Sequence, residues 1–149
     1  GADDLGVTTG THGANLPYVT SGDLNASGAL TRRARALFNV PVELVSGSVF
    51  VFRMTAGMLT SVASVSATID AENFLSNGVT GVVGGDLVTT TAIDINSLTL
   101  KARDFTLNSS GVVPGDVLDI RITMATNSAT ASAHFAVISR SMFLLPVRG

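Results

Sequence analysis

Beyond residue 30 the chain alternates apolar and polar positions with a period of two, the spacing at which successive side chains of a strand point to opposite faces. From Ala34 to Val45, residues Ala36, Phe38, Val40, Val42 and Leu44 share one face and Arg35, Asn39 and Glu43 the other, with Leu37 out of step. Pro41 has no N–H to give a ladder, so this strand belongs at an edge or carries a bulge. Residues 30 to 37 would also suit one or two helical turns on propensity, but the alternation favours strand. Ser46-Gly47 predicts a turn into a strand with Phe50, Phe52 and Met54 on one side and Val49, Val51 and Arg53 on the other. Residues 62 to 72 alternate again, with Ala63, Val65, Ala67, Ile69 and Ala71 opposed to Ser64, Ser66, Thr68, Asp70 and Glu72.

Residues 73 to 86 hold Asn77-Gly78 and Gly84-Gly85-Asp86, which predict the longest loop. Two strands are expected at 87 to 95 and 98 to 107, the second with a one-residue slip at Arg103 and Asp104 that points to a β-bulge. Val113-Pro114-Gly115-Asp116 places Pro and Gly at the centre of a type II turn. The strand after it sends Leu118, Ile120, Ile122 and Met124 inward and Asp119, Arg121 and Thr123 outward. The last segment, from about 131 to 147, is apolar on both faces: Phe135, Val137, Phe143 and Leu145 on one, Ala136, Ile138, Met142 and Leu144 on the other. An antiparallel sheet normally wets one face, so this strand is expected under the N-terminal segment or in a subunit interface. Seven or eight strands with regular turn signals predict an all-β, antiparallel β-sandwich, with a jelly roll as the first choice.

Residues 1 to 29 show no such period. Their large apolar residues, among them Leu5, Val7, Leu16 and Tyr18, are scattered among Gly, Thr and Asp, which predicts an extended arm ahead of a sandwich domain at 30 to 149. Ordering an arm costs backbone entropy, so it is expected to order against another surface. Arg32, Arg33 and Arg35 stand at the junction, either as a solvated turn or as an anchor that holds the arm against acidic groups on a neighbouring subunit.

Composition then narrows the function. The chain of 149 residues has 13% charged residues and a net charge of −2, too weak a field to attract nucleic acid. The single Tyr and absent Trp leave few platforms for stacking bases or sugars. Without cysteine there is no disulfide or thiolate chemistry. No apolar run is long enough for a membrane-spanning helix.

Candidate chemistry is sparse. The two histidines are His12, in the arm, and His134, in the last strand, too few for a hydrolytic triad or a histidine metal site. His134 on an apolar face reads as a hydrogen-bonded core or interface residue. Asp116 and Asp119, with Asp94 or Asp104, supply oxygen ligands for Ca²⁺, but not at the spacing of a calcium loop. Asp116 reads more simply as a turn cap, and Asp119 as the partner of an arginine. No cofactor, metal or catalytic residue is therefore expected, and the protein is not expected to be an enzyme.

Four segments carry a resemblance: GDLNASGALTRRARALF, TAGMLTSVASVSATIDAE, INSLTLKARDFTLNSSGVVPGDVLDIRITMATNSATA and RSMFLLPVRG. Together they resemble a family of phage and environmental-virus structural proteins with a small β-sandwich and a short basic-Gly tail. Pro146 departs from that pattern, where relatives have an acidic or polar residue.

The resemblance implies a virion component at the capsid surface that self-assembles, as a trimer, and decorates or stabilises a capsid through the major capsid protein or another virion protein. The alternative is a tail-fibre or head-fibre module that binds a receptor or glycan. The candidate subunit interface is Arg121, His134, Ala136, Ile138, Met142 and Leu144. The candidate arm-docking set is Leu5, Val7, Leu16, Tyr18, Arg32, Arg33 and Arg35.

Overall fold

The structure is a computed structural model that describes residues 3–9, 11, 13–22, 26–77, 79 and 81–146, without the side chains of Asn77 and Val83. Ten strands follow in chain order: β1 (Gly6–Thr8), β2 (Tyr18–Thr20), β3 (Gly28–Asn39), β4 (Phe50–Met58), β5 (Ser66–Asn77), β6 (Gly81–Val83), β7 (Ile93–Asp94), β8 (Lys101–Leu107), β9 (Val117–Ser128) and β10 (Ala136–Leu144). No helix occurs among the described residues.

The pairing is that of a long hairpin rolled up. β2 pairs with β10, β3 with β9, β4 with β8 and β5 with β7, so the first half of the chain lies antiparallel to the second in mirrored order. β10 against β4 and β9 against β5 then close two sheets. Sheet A runs β3-β9-β5-β6, with β7 also on β5, and sheet B runs β1-β2-β10-β4-β8. This is the expected jelly-roll sandwich.

Residues 1–29, read as an arm, hold the first strand of the roll. β2 pairs Thr20 with Val137 and Val19 with Ile138, and β1 pairs with β2. Arg33 N donates to Asp3 O and Leu5 N donates to Arg33 O, tying this segment to β3 as well. The surface it lies on is its own sandwich. His12 and Leu24 lie outside the described residues.

The core between the sheets is filled by Phe50, Phe52, Met54, Ile69, Phe105, Leu118 and Met124, among others. Four local expectations are corrected. Strand β3 stops at Asn39, and Pro41 opens a turn closed by Leu44 N donating to Pro41 O, which leaves Val42 75% exposed. Residues 73–77 continue β5 instead of forming a loop, while the expected strand at 87–95 shrinks to β7 and one bridge, Val88 to Leu107. β8 keeps an unbroken register with β4, from Lys101 opposite Ala56 to Leu107 opposite Phe50, so the bulge expected at Arg103 and Asp104 is absent.

The bulge is in β10, where the register with β4 shifts between Ile138 and Arg140. Ala136 and Ile138 face the core before it, and Phe143 faces the core after it, opposite buried Phe52. The apolar series thus changes sides at Ser139, which a uniform period of two reads as two dry faces. Val137 is outward yet fully buried, beside Gly57. A Cβ on Gly57 would lie 2.9 Å from Ser97 O and 3.2 Å from Leu100 Cα, so the segment 97–100 straps the outside of sheet B at this level.

Candidate functional site

The strongest convergence of charged side chains lies on the outer face of sheet A, where three adjacent strands, β3, β9 and β5, place it by alternation. Arg35 of β3 is the register partner of Arg121 on β9, and Arg121 is the register partner of Glu72 on β5. One step along, Leu37, Asp119 and Phe74 form the next row. Two arginines in one row would repel, and each turns to a carboxylate instead. Arg35 makes a fork with Asp119, Nε to Oδ1 at 2.7 Å and Nη2 to Oδ2. Arg121 places Nε and Nη2 on one oxygen of Glu72.

These pairs border an open depression of about 310 Å³ lined by Arg35, Phe74, Val82, Asp119 and Arg121. Asp119 points outward but is 7% exposed at its side chain, against 69% for Arg35. The Arg35 hydrogen bond, aided by its charge, holds the Asp119 carboxyl below the usual carboxylate range against the opposing effect of burial. The same contact raises the Arg35 guanidinium. Two arginines, one aspartate and one glutamate make the patch neutral in sum. Arginine–carboxylate pairs of this kind keep N–H donors and carboxylate lone pairs free side by side, which suits a neutral ligand whose adjacent groups both donate and accept.

The other sequence candidates are dispersed. His134 is 2% exposed, with Nδ1 2.7 Å from Ser132 O and Nε2 3.2 Å from Ser128 Oγ. His134, Ala136 and Ile138 are buried within their own sandwich, which corrects their assignment to a subunit interface; Ala136 and Ile138 lie on the inward side of β10 ahead of its bulge, and His134 in the loop that leads into β10. Met142 is half-buried, and Leu144 is 37% exposed on the outer side. Of the arm-docking set, Leu5 packs on the core, Val7 and Leu16 are exposed, Tyr18 is half-buried in β2, and Arg32 lies 3.7 Å from Asp3. Arg33 is held through its backbone, and Arg35 through Asp119.

The calcium candidates are engaged separately. Asp116 accepts from Val113 N within its own turn, Asp94 from Asn96 N, and Asp104 from Arg53. Sequence reasoning found Arg121 and the Asp119–arginine pairing, and missed Glu72 as a partner and Phe74 altogether, because Phe74 fell in the segment read as loop.

No known protein family matches the chain by sequence, and no curated protein does. In fold it is similar to a structure described as "EclA C-terminal domain; sugar-binding protein", at TM-score 0.52 and 7% identity over 92% of this chain and 87% of that one. A structure described as "CBM4 structure and function" aligns at TM-score 0.43 and 15% identity over 97% and 92%. A structure of infectious bursal disease virus aligns at TM-score 0.33 and 12% identity, over 89% of this chain and 32% of that one. The likeness at TM-score 0.52 is one of fold, and it agrees with the two-sheet β-sandwich described above.

Proposed function

We propose that the protein is a non-catalytic recognition module that binds a neutral glycan on the outer face of sheet A, in the setting of a receptor-binding fibre component of a virion. The observation that carries this is the depression where Phe74 and Val82 give an apolar wall beside the Arg35–Asp119 fork and Arg121, which is paired with Glu72. A pyranose has this duality, with C–H faces that pack on an aromatic ring and adjacent hydroxyls that donate and accept together. The sugar-binding description of the fold neighbour supports the same direction.

The virion setting rests on the resemblance of the four segments. Capsid decoration is the second reading, favoured by an apolar cleft on the edge of the sandwich, lined by Phe38, Phe52 and Phe143. Binding, as opposed to catalysis, fits a buried His134 and carboxylates already committed to arginines.

A printed array of neutral and acidic oligosaccharides and bacterial surface polysaccharides tests the proposal. Neutral saccharides are expected to bind, and Phe74→Ala is expected to weaken them roughly fivefold, the loss of an aromatic contact worth about 1 kcal/mol, with the melting temperature nearly kept. Binding confined to sulfated or uronic-acid glycans, or binding indifferent to Phe74, overturns it.

A further inference from the structure

Strand β3 is twelve residues long and forms an edge of sheet A, and only part of that edge is covered. Val40 N donates to Asp116 O and Gly115 N to Val40 O, so even-numbered residues turn their backbone groups toward β9. Arg33 bonds Asp3 and Leu5 on the opposite side, so odd-numbered residues face outward. Beyond Arg33 the outward groups of Arg35, Leu37 and Asn39 have no neighbouring strand among the described residues, and Pro41 ends the series.

Beneath this lip the sandwich is open, because β2 covers only Val137 and Ile138 of β10. The opening is a cleft of about 270 Å³ lined by Ala36, Phe38, Phe52, Ile120, Ile122 and Phe143, with Phe38 and Phe143 stacked at 4.4 Å between ring centroids. Leu37 on the lip is 69% exposed. Bare edges of this length invite pairing with another strand, and neither Lys nor Pro guards residues 34 to 39.

We propose that the occupant is a second copy of this chain, joined by antiparallel pairing of β3 with the partner's β3 about a two-fold axis at Leu37. The free span fixes the register. With outward groups only at 35, 37 and 39, Leu37 pairs with the partner's Leu37 and Arg35 with the partner's Asn39. On the cleft side Ala36 then faces the partner's Phe38, a small residue opposite a large one at the closely spaced position of an antiparallel ladder.

Charge agrees with this register. Arg35 is the only charged residue from 34 to 39, it already holds Asp119, and it meets a neutral Asn. A register one pair earlier would oppose Arg35 to itself.

The pairing joins the two A sheets edge to edge, with both recognition depressions on one side and the two β9 strands three strand spacings, about 14 Å, apart. That last consequence rests on the glycan reading, and the dimer does not. A bivalent face would bind a multivalent surface more tightly than a free sugar.

Sedimentation of the full chain across micromolar to near-millimolar concentrations is expected to show a monomer–dimer equilibrium. Leu37→Pro removes only an outward N–H, so the β9 ladder stays whole while the dimer weakens roughly tenfold or more. Leu37→Lys is the companion variant should proline perturb the strand, and slowed amide exchange at Leu37 in the dimer is the backbone readout. A monomer at every concentration, a trimer, or a dimer indifferent to both variants overturns the proposal. Loss of array binding with unchanged affinity for free saccharide separates the bivalent consequence from the dimer. If no saccharide binds at all, the glycan reading fails while the sedimentation result stands.

Discussion

Each outer face of the sandwich carries an arginine forked onto an aspartate, and the surroundings of the two forks differ. On sheet B, Arg53 and Asp104 meet at 2.6 and 2.7 Å with both side chains open to water, at 39% and 43% exposure. On sheet A, Arg35 is open but Asp119 is covered. Both aspartates are held below the usual carboxylate range by their arginine hydrogen bonds. Similar pair chemistry is thus a solvated surface contact on one face and part of a walled depression on the other. What separates them is the neighbouring row: Phe74 and Val82 flank Asp119, whereas the strap at 97–100 covers sheet B only near Gly57.

The largest expected effect lies at that strap. Gly57→Ala drives a Cβ into the backbone of Ser97 and Leu100 and is expected to destabilise the fold by about 1–3 kcal/mol, with no effect on ligand binding. Chemical denaturation checks the first, and the oligosaccharide array the second.

The forks come next. Arg35→Ala leaves a covered carboxylate without its arginine and is expected to lower the melting temperature by roughly 4–8 °C, while Arg53→Ala, whose Asp104 simply rehydrates, changes it by under about 2 °C. Calorimetry of the two variants in one buffer is the check; equal shifts would mean the two faces are not different environments.

The smallest effect concerns acid. Asp119 and Asp104 bind protons less tightly folded than unfolded, so their stabilisation is present above the unfolded value, about 3.9, and is lost as pH falls through their lower folded values. Asp70, on the same face of sheet A, has the opposite sign. Burial raises its carboxyl against the Ala71 N–H it accepts, so it opposes folding at neutral pH and does so less as acid protonates it. Asp70→Asn is expected to stabilise by under about 0.5 kcal/mol at pH 7, discounted for the water that reaches it, and to lose that gain on acidification. Melts across the acid range measure it.

The β-sandwich was legible wherever alternation met an intact register. In β9, Leu118, Ile120, Ile122 and Met124 turn inward as expected, and Gly115 adopts the positive φ of a type II turn. Legibility failed where one residue contradicted its position. Asn73 faces the core at 1% exposure with neither side-chain polar atom hydrogen-bonded, and a polar residue at an inward site looks like the end of a strand. Phe74 was lost with it. Arg103 likewise faces inward opposite Met54 and imitates a slip. β2 is three residues long, too short for any period to emerge, yet it opens the roll. The site was half-visible for the same reason: alternation gave Asp119 and Arg121 a common face, but their neighbours on β3 and β5 depend on register across distant strands, which one strand's pattern does not encode.

Amide shift mapping of the isotopically labelled protein, titrated with the tightest neutral saccharide from the array, tests the central claim most directly. Perturbations should gather at Arg35, Glu72, Phe74, Asp119 and Arg121 and leave Arg53, Asp104 and the 97–100 strap unmoved. Shifts centred on sheet B, or confined to the loops at the ends of the sandwich, would contradict the assignment of recognition to the outer face of sheet A.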